Sequence, residues 1–125
     1  MKLLNSFFNI LSENADDNGG HLVTIGLNAD HIIYKAHFPG KPVTPGVCII
    51  AMVTEVLEHI TGGHLLLKTV KNLKFVGIIS PLECQSVDIV FQSSDSASEE
   101  IKAKGILKKG DSVLTKFSMI YKTSK

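Results

Sequence analysis

The stretch GVCIIAMVTEVLEHITGG, residues 46–63, constrains the fold more than any other part of the chain. Val47, Ile50 and Leu57 recur at helical spacing, and the two glycines at the end are a typical helix stop. The first fourteen residues are apolar on nearly every side, so we expect a buried helix rather than one that lies on a surface. Such a helix needs a sheet that curves around it.

Strand-like segments lie on both sides of this helix. Before it, residues 21–28 alternate as a strand does, and the turn signal ADDNGG joins them to residues 5–14. Residues 5–14 could form a helix or a strand, and the hairpin arrangement favours a strand. After the helix, residues 93–100 are predicted to be a polar turn, and four segments alternate as strands: 65–79, 83–92, 101–109 and 112–122. The sum is one α+β domain over residues 1–125, with a curved antiparallel sheet around one long helix.

Composition excludes several classes of function. The 125 residues include thirteen lysines, no arginine and no tryptophan, with a formal net charge of +1. Arginine is the preferred residue for contacts with phosphates and bases, so we expect no nucleic-acid binding. No run of eighteen apolar residues is present, so we expect no membrane span. Cys48 and Cys84 lack metal-ligand spacing, and we expect reduced thiols, a cytoplasmic location and no metal or cofactor.

The segment before the helix, AHFPGKPVTPGV, is a rigid loop. Between His37 and Val47 lie three prolines and two glycines. Each proline fixes its own φ and disfavours the helical region for the residue before it, so residues 31–46 are not expected to form a regular helix.

This loop resembles that of the hotdog-fold β-hydroxyacyl-acyl carrier protein dehydratases of the FabZ and FabA type. The resemblance rests on a histidine, Phe-Pro-Gly, a proline and a second Pro-Gly: His37, Phe38, Pro39, Gly40, Pro42, Pro45 and Gly46. The later segment KFVGIISPLE, residues 74–83, is similar to the family's KF…P strand and turn.

The resemblance implies a hotdog fold and a dimer whose sheets join edge to edge, with acyl tunnels at the interface. In this family the histidine of one subunit works with a helix acid of the other. Together they remove water from a 3-hydroxyacyl thioester to give a trans-2-enoyl thioester. The implied substrates are acyl carrier protein or CoA thioesters of fatty-acid or polyketide-type synthesis.

The loop suits that chemistry. An imidazole titrates near neutral pH, so His37 is the predicted base. The first N–H groups of a helix lack internal partners and lie at its positive end, and Gly46 has no side chain to block a carbonyl oxygen. The Gly46 N–H is therefore the predicted donor to the thioester oxygen. The predicted substrate contacts are Phe38, Pro45, Gly46, Val47 and Ala51.

The chain departs from the family at the acid. The family places Glu or Asp fourteen residues after the histidine, where this chain has Ala51. The nearest carboxylate, Glu55, lies on the same helix face but about 6 Å further from the loop, at about 1.5 Å per residue. We hypothesise that Glu55 serves as the acid, directly or through water. The alternative is a structural role, as partner of a buried polar group or of a neighbouring subunit.

Three functions remain open. The first is a dehydratase that acts as a homodimer or larger homo-oligomer. The second is a catalytically impaired subunit that binds acyl thioesters or completes a site with a partner dehydratase. The third is a thioesterase, which ranks last because the HFPG loop is not a thioesterase signature. Lys68, Lys71 and Lys74 are expected to form a solvated face; the alternative is that they dock an acidic carrier protein.

Overall fold

The computed structural model describes residues 2–37, 40–92, 95–97 and 99–123, without the side chains of residues 95–97. Its strands are β1 (Phe8–Ala15), β2 (His21–Leu27), β3 (Leu65–Phe75), β4 (Ser86–Phe91), β5 (Asp95–Ala97), β6 (Glu100–Lys109) and β7 (Ser112–Thr123). Its helices are α1 (Ile32–Ala36) and α2 (Gly46–Thr61). The strands form one antiparallel sheet in the order β1-β2-β4-β6-β7-β3, and β5 pairs with β6. The predicted α+β class, a curved antiparallel sheet around one central helix, is confirmed.

Helix α2 begins and ends where the sequence predicts. Pro45 precedes it with φ −63° and ψ 147°, and Gly62 ends it in the left-handed region with φ 79°. Its buried residues pack with the inward side chains of the sheet, where buried residues, all but Thr115 apolar, recur at every second position of β4, β6 and β7. The hydrophobic effect of this one cluster holds helix and sheet together.

One face of α2 is left uncovered, contrary to the predicted burial on all sides. Val47 is 65% exposed, and Ile50, Ala51 and Thr54 are only half-buried. The reason is geometric, because a single sheet can cover one side of a helix but not its whole circumference.

Two short elements differ from the prediction. Helix α1 is a single turn within residues 31–46, where no regular helix was expected. It ends before the first proline, and the His31 imidazole caps it by accepting the Ile33 N–H at 3.1 Å. Strand β5 lies in the predicted polar turn, since backbone pairing with β6 requires no apolar side chain.

Strand β3 forms one end of the sheet and keeps apolar side chains in solvent. Leu66, Leu67 and Val70 are all exposed, and Val70 is 42% exposed. Exposed apolar side chains continue past the strand at Val76 and Ile78. A long apolar edge strand is a template for pairing with another chain. Neither helix of the described residues is long and apolar enough to cross a membrane.

Candidate active site

His37 stands at the end of α1 with its side chain exposed. Its backbone is extended, with φ −113° and ψ 117°, and its N–H donates to the Ile33 carbonyl at 3.0 Å. The last turn of α1 therefore fixes the direction in which the chain enters the loop. Phe38, a predicted substrate contact, lies outside the described residues.

The other end of the loop is the start of α2. Cys48 and Ile49 donate to the Pro45 carbonyl at 3.0 and 3.1 Å, so internal bonding of the helix begins with their N–H groups. The N–H groups of Gly46 and Val47 precede it, at the positive end of the helix dipole. The geometry thus places two backbone donors where the sequence predicts a binding site for a carbonyl oxygen.

Phe75 of β3 covers Gly46. A Cβ atom on Gly46 would lie 2.8 Å from Cζ of the Phe75 ring, so a side chain fits there only if the ring moves. The ring is itself half exposed, and it reaches from the exposed edge strand to the helix terminus. Sequence comparison with the KF…P pattern marks Phe75, but its contact with Gly46 carries no sequence signal.

Ala51 lies on the uncovered face of α2, with Val47 and Ile50. Its methyl group cannot transfer a proton. On the same face, Thr54 donates to the Ile50 carbonyl at 2.9 Å and shares a 2.8 Å hydrogen bond with the Tyr121 hydroxyl. Burial raises the pKa of Tyr121 to about 12, with partial compensation from that bond, so the phenol stays protonated at neutral pH.

Glu55 is buried, with 8% of its surface exposed, and its carboxylate is bound to the beginning of the chain. The Leu3 N–H lies 2.9 Å from each carboxylate oxygen, and the Leu4 N–H donates to Oε1 at 2.8 Å. These contacts match the structural alternative considered for Glu55. Its role as acid stays a prediction.

Glu58, the other carboxylate of α2, is also bound. Its Oε2 accepts the Leu65 N–H at 2.9 Å and lies 2.9 Å from Nδ1 of His64. The helix therefore presents both of its acids to backbone N–H groups of other segments rather than to the face that carries Ala51.

Glu55 and the described residues of the loop line different cavities. Glu55 lines a cleft of about 320 Å³ at the C-terminal end of α2, together with Glu58, His59 and His64. Two grooves beside the loop, of about 250 and 340 Å³, share Gly40, Pro42 and Leu82 instead. Glu55 is also nine residues into the helix from Gly46, or about 14 Å along its axis.

The first turn of α2 carries Cys48, which is a core residue. Burial raises the pKa of its thiol, so the group stays protonated and a poor nucleophile. Cys48 and Cys84 are both free thiols, as predicted.

The hydroxyls of Tyr34 and Thr44, which sequence analysis missed, share a buried 2.8 Å hydrogen bond between α1 and the end of the loop. Burial raises the pKa of Tyr34 to about 12, which the bond to Thr44 only partly offsets. No local pattern marks two residues ten positions apart as partners.

The chain is similar to curated dehydratases. The FabZ 3-hydroxyacyl-[acyl-carrier-protein] dehydratases of Caulobacter vibrioides (strain NA1000 / CB15N) and Caulobacter sp. (strain K31) are each 28% identical to this chain. The matches cover 83% of this chain and 72% and 70% of those proteins.

Solved structures with the same fold include the dehydratase heterocomplex ApeI:P from Xenorhabdus doucetiae, with a TM-score of 0.70 and 14% identity, covering 90% of this chain and 96% of that chain. A thioesterase from Staphylococcus aureus matches with a TM-score of 0.62 and 12% identity, covering 94% of this chain and 93% of that chain. These matches confirm the predicted hotdog fold.

The family model described as ApeI-like, ApeI dehydratase, matches residues 12–107, which include the loop, α2 and the sheet from β2 to most of β6. The predicted membership of a hotdog dehydratase family is thereby confirmed, and the chain belongs to the ApeI-like dehydratase family.

Proposed function

We propose that the chain is a subunit of a hydroxyacyl-thioester dehydratase whose acid is supplied by a second, different subunit. The reaction removes the elements of water from a 3-hydroxyacyl thioester and leaves a trans-2-enoyl thioester. The observation that carries this proposal is the combination of an exposed His37, two backbone N–H groups at the start of α2 that precede its internal bonding, and two α2 carboxylates that are already bound.

His37 acts as the base. It takes a proton from C2 of the substrate, because a neutral imidazole has a ring nitrogen that can accept one. Negative charge then develops on the thioester oxygen. The Gly46 N–H, with the Val47 N–H beside it, donates to that oxygen from the positive end of α2.

The acid that protonates the leaving hydroxyl is the missing part of the site. Ala51 stands at its place in α2, and Glu55 and Glu58 bind backbone N–H groups elsewhere. A carboxylate that gave up those bonds would leave buried donors unsatisfied, at a cost of about 1–3 kcal/mol. The acid therefore comes from another chain that has Glu or Asp at the position of Ala51.

Strand β3 provides the surface on which that chain binds. Its exposed apolar residues and unpaired edge favour continuation of the sheet into a partner. Phe75, at the end of this edge strand, lies over Gly46 at the start of α2. A partner bound to the edge would therefore also cover the half-buried face of the helix. The similar structure from Xenorhabdus doucetiae is itself a heterocomplex, which supports a mixed assembly. A homodimer formed through the same edge would lack the acid.

The acyl chain would lie along the uncovered face of α2. Val47, Ile50 and Ala51 give that face an apolar surface, and Ala51 leaves room beside it. The substrate class that fits is an acyl carrier protein or CoA thioester of fatty-acid or polyketide-type synthesis in the cytoplasm. Of the lysines considered as a docking site for a carrier, Lys68 pairs with Glu100, while Lys71 and Lys74 are exposed.

The test is a dehydration assay with a 3-hydroxyacyl carrier-protein thioester. The chain is assayed alone and after co-expression with a FabZ-type dehydratase whose own histidine is replaced by alanine. We expect no turnover by either protein alone and turnover by the mixed complex, lost again with His37→Ala. Full activity of this chain alone, abolished by Glu55→Gln, would instead make Glu55 the acid.

A further inference from the structure

A buried hydrogen bond joins the two ends of the His37 loop. The hydroxyls of Tyr34 and Thr44 lie 2.8 Å apart, and both residues are almost fully buried. Tyr34 precedes His37 by three residues, and Thr44 precedes Gly46 by two. We infer that Tyr34 and Thr44 are positioning residues that hold His37 and the start of α2 in a fixed relation; this rests on the proposed function.

Each end of the loop is coupled closely to this bond. On one side, the His37 N–H donates to the Ile33 carbonyl, so the backbone of His37 moves with the turn that carries Tyr34. On the other side, the Thr44 N–H donates to the Ile79 carbonyl at 2.8 Å, which ties the end of the loop to the core. A shift at the Tyr34 hydroxyl would therefore change the distance between the imidazole and the Gly46 N–H.

Aromatic packing also holds the ring of Tyr34 in place. Its ring stacks on Phe7 with centroids 4.7 Å apart and an interplanar angle of 20°. Phe7 meets the ring of His31, the cap of α1, edge-on at 5.2 Å. The phenol, whose pKa burial raises to about 12, keeps its proton at neutral pH and so remains able to donate. Packing already holds the ring in place, and the hydrogen bond to Thr44 also fixes the orientation of the hydroxyl.

The hydroxyl pair is not required to fill space. Phenylalanine and valine would occupy nearly the same volumes, and replacing both partners of a buried hydrogen bond by apolar groups of the same shape can be nearly neutral for stability. A merely structural role predicts that such a double variant behaves like the wild type. A positioning role predicts that the double variant has nearly wild-type stability, but that its loop is displaced and its dehydration rate is reduced.

The experiment measures amide hydrogen exchange at His37 and Thr44 by NMR, with Tyr34→Phe, Thr44→Val, the double variant and Thr44→Ser. Thr44→Ser keeps the hydroxyl and is expected to retain wild-type exchange. The other three are expected to exchange about fivefold faster at one or both amides, the change that losing one net hydrogen bond produces. The double variant is expected to unfold near the wild-type temperature.

A matched control comes from the other buried tyrosine–threonine pair. Tyr121 and Thr54 also share a 2.8 Å hydrogen bond, but they join β7 to α2 and do not flank the loop. Tyr121→Phe should leave exchange at His37 and Thr44 unchanged. Equal acceleration in Tyr121→Phe, or wild-type exchange in the double variant, would overturn the inference.

Kinetics of the mixed complex supply the second readout. Because misplacement of about 1 Å can cost up to roughly 100-fold in rate, we expect kcat to fall by that order in the double variant with little change in KM. A wild-type kcat in the double variant would also overturn the inference. If the wild-type complex shows no dehydration, the proposed function fails, and the exchange data still decide whether the hydroxyl pair fixes the loop.

Discussion

Both carboxylate oxygens of Glu55 lie 2.9 Å from the backbone nitrogen of Leu3. The acid that the helix pattern predicts is thus bound to a segment 52 residues earlier in the chain. Because of this contact, the two roles considered for Glu55 can be tested separately. A carboxylate that fixes the N-terminal segment contributes to stability whether or not the protein is active.

Glu55→Gln should reduce stability and leave catalysis by the mixed complex intact. The amide can keep one acceptor for Leu3 and Leu4, but its NH₂ group would then face the Leu3 N–H, with two donors opposed. We expect a loss of about 1–3 kcal/mol in the free energy of unfolding, measured by urea titration.

Glu13→Gln is the control for that measurement. Glu13 pairs with His59 at 2.8 Å, but both side chains are about half exposed, so the change should cost under about 1 kcal/mol. If Glu55→Gln kept full stability and lost all turnover, the structural role would be wrong.

The helix and loop were predictable because their signals are local. Proline fixes φ, glycine permits the left-handed conformation at Gly62, and apolar spacing defines α2. The partners of Glu55, the bond between Tyr34 and Thr44, and the exposure of Val47 depend on segments that meet only in the folded chain. The family resemblance marked His37 and Gly46 as candidate site residues. The local sequence pattern could not show that Glu55 is bound to Leu3 and Leu4.

Gly46→Ala should impair turnover without unfolding the protein. Its methyl group would lie 2.8 Å from the Phe75 ring, which is half exposed and can move aside. The same methyl would stand beside the N–H that we propose as donor to the thioester oxygen. The N–H itself is kept, but the methyl group would hinder the approach of the oxygen to it, so we expect kcat of the mixed complex to fall by up to about 100-fold, the loss seen when such a donor is removed.

Gly63→Ala is the matched control, because nothing lies within 4 Å of a Cβ atom at that position, just beyond the opposite end of α2. Its kcat should equal that of the wild type. Comparable losses in the two variants would show that Gly46 has no special role.

Val70→Lys should weaken assembly through the β3 edge. A lysine among the exposed apolar residues of an edge strand discourages pairing with another chain. Light scattering after size-exclusion chromatography should show a smaller assembly than for the wild type. Leu11→Lys, at an exposed apolar site on β1 at the other end of the sheet, should not change the mass. The edge assignment fails if only Leu11→Lys dissociates the protein.

Stability should fall as pH rises from about 10 to about 12. Tyr34 and Tyr121 have pKa values near 12 in the folded chain, against 10.0 for an ordinary tyrosine. Below pH 10 both states keep these protons, and the contribution is complete. Between the two values the unfolded chain loses them first, which costs about 1.4 kcal/mol per pKa unit for each residue.

Urea unfolding at several alkaline pH values checks this dependence. Tyr34→Phe and Tyr121→Phe should each flatten the fall in stability, since a phenylalanine has no proton to lose. An unchanged slope in both variants would show that neither phenol is responsible.

If this chain holds a dehydratase half-site that lacks only its acid, Ala51→Glu should complete it. The substitution places a carboxylate on the half-buried face of α2, where a second copy of the chain can present it to His37. The measurement is the dehydration rate of the purified homo-oligomer with a 3-hydroxyacyl carrier-protein thioester. We expect no turnover for the wild type alone, clear turnover for Ala51→Glu, and its loss when His37→Ala is added. Turnover by the wild type alone that Ala51→Glu does not increase would contradict the proposal.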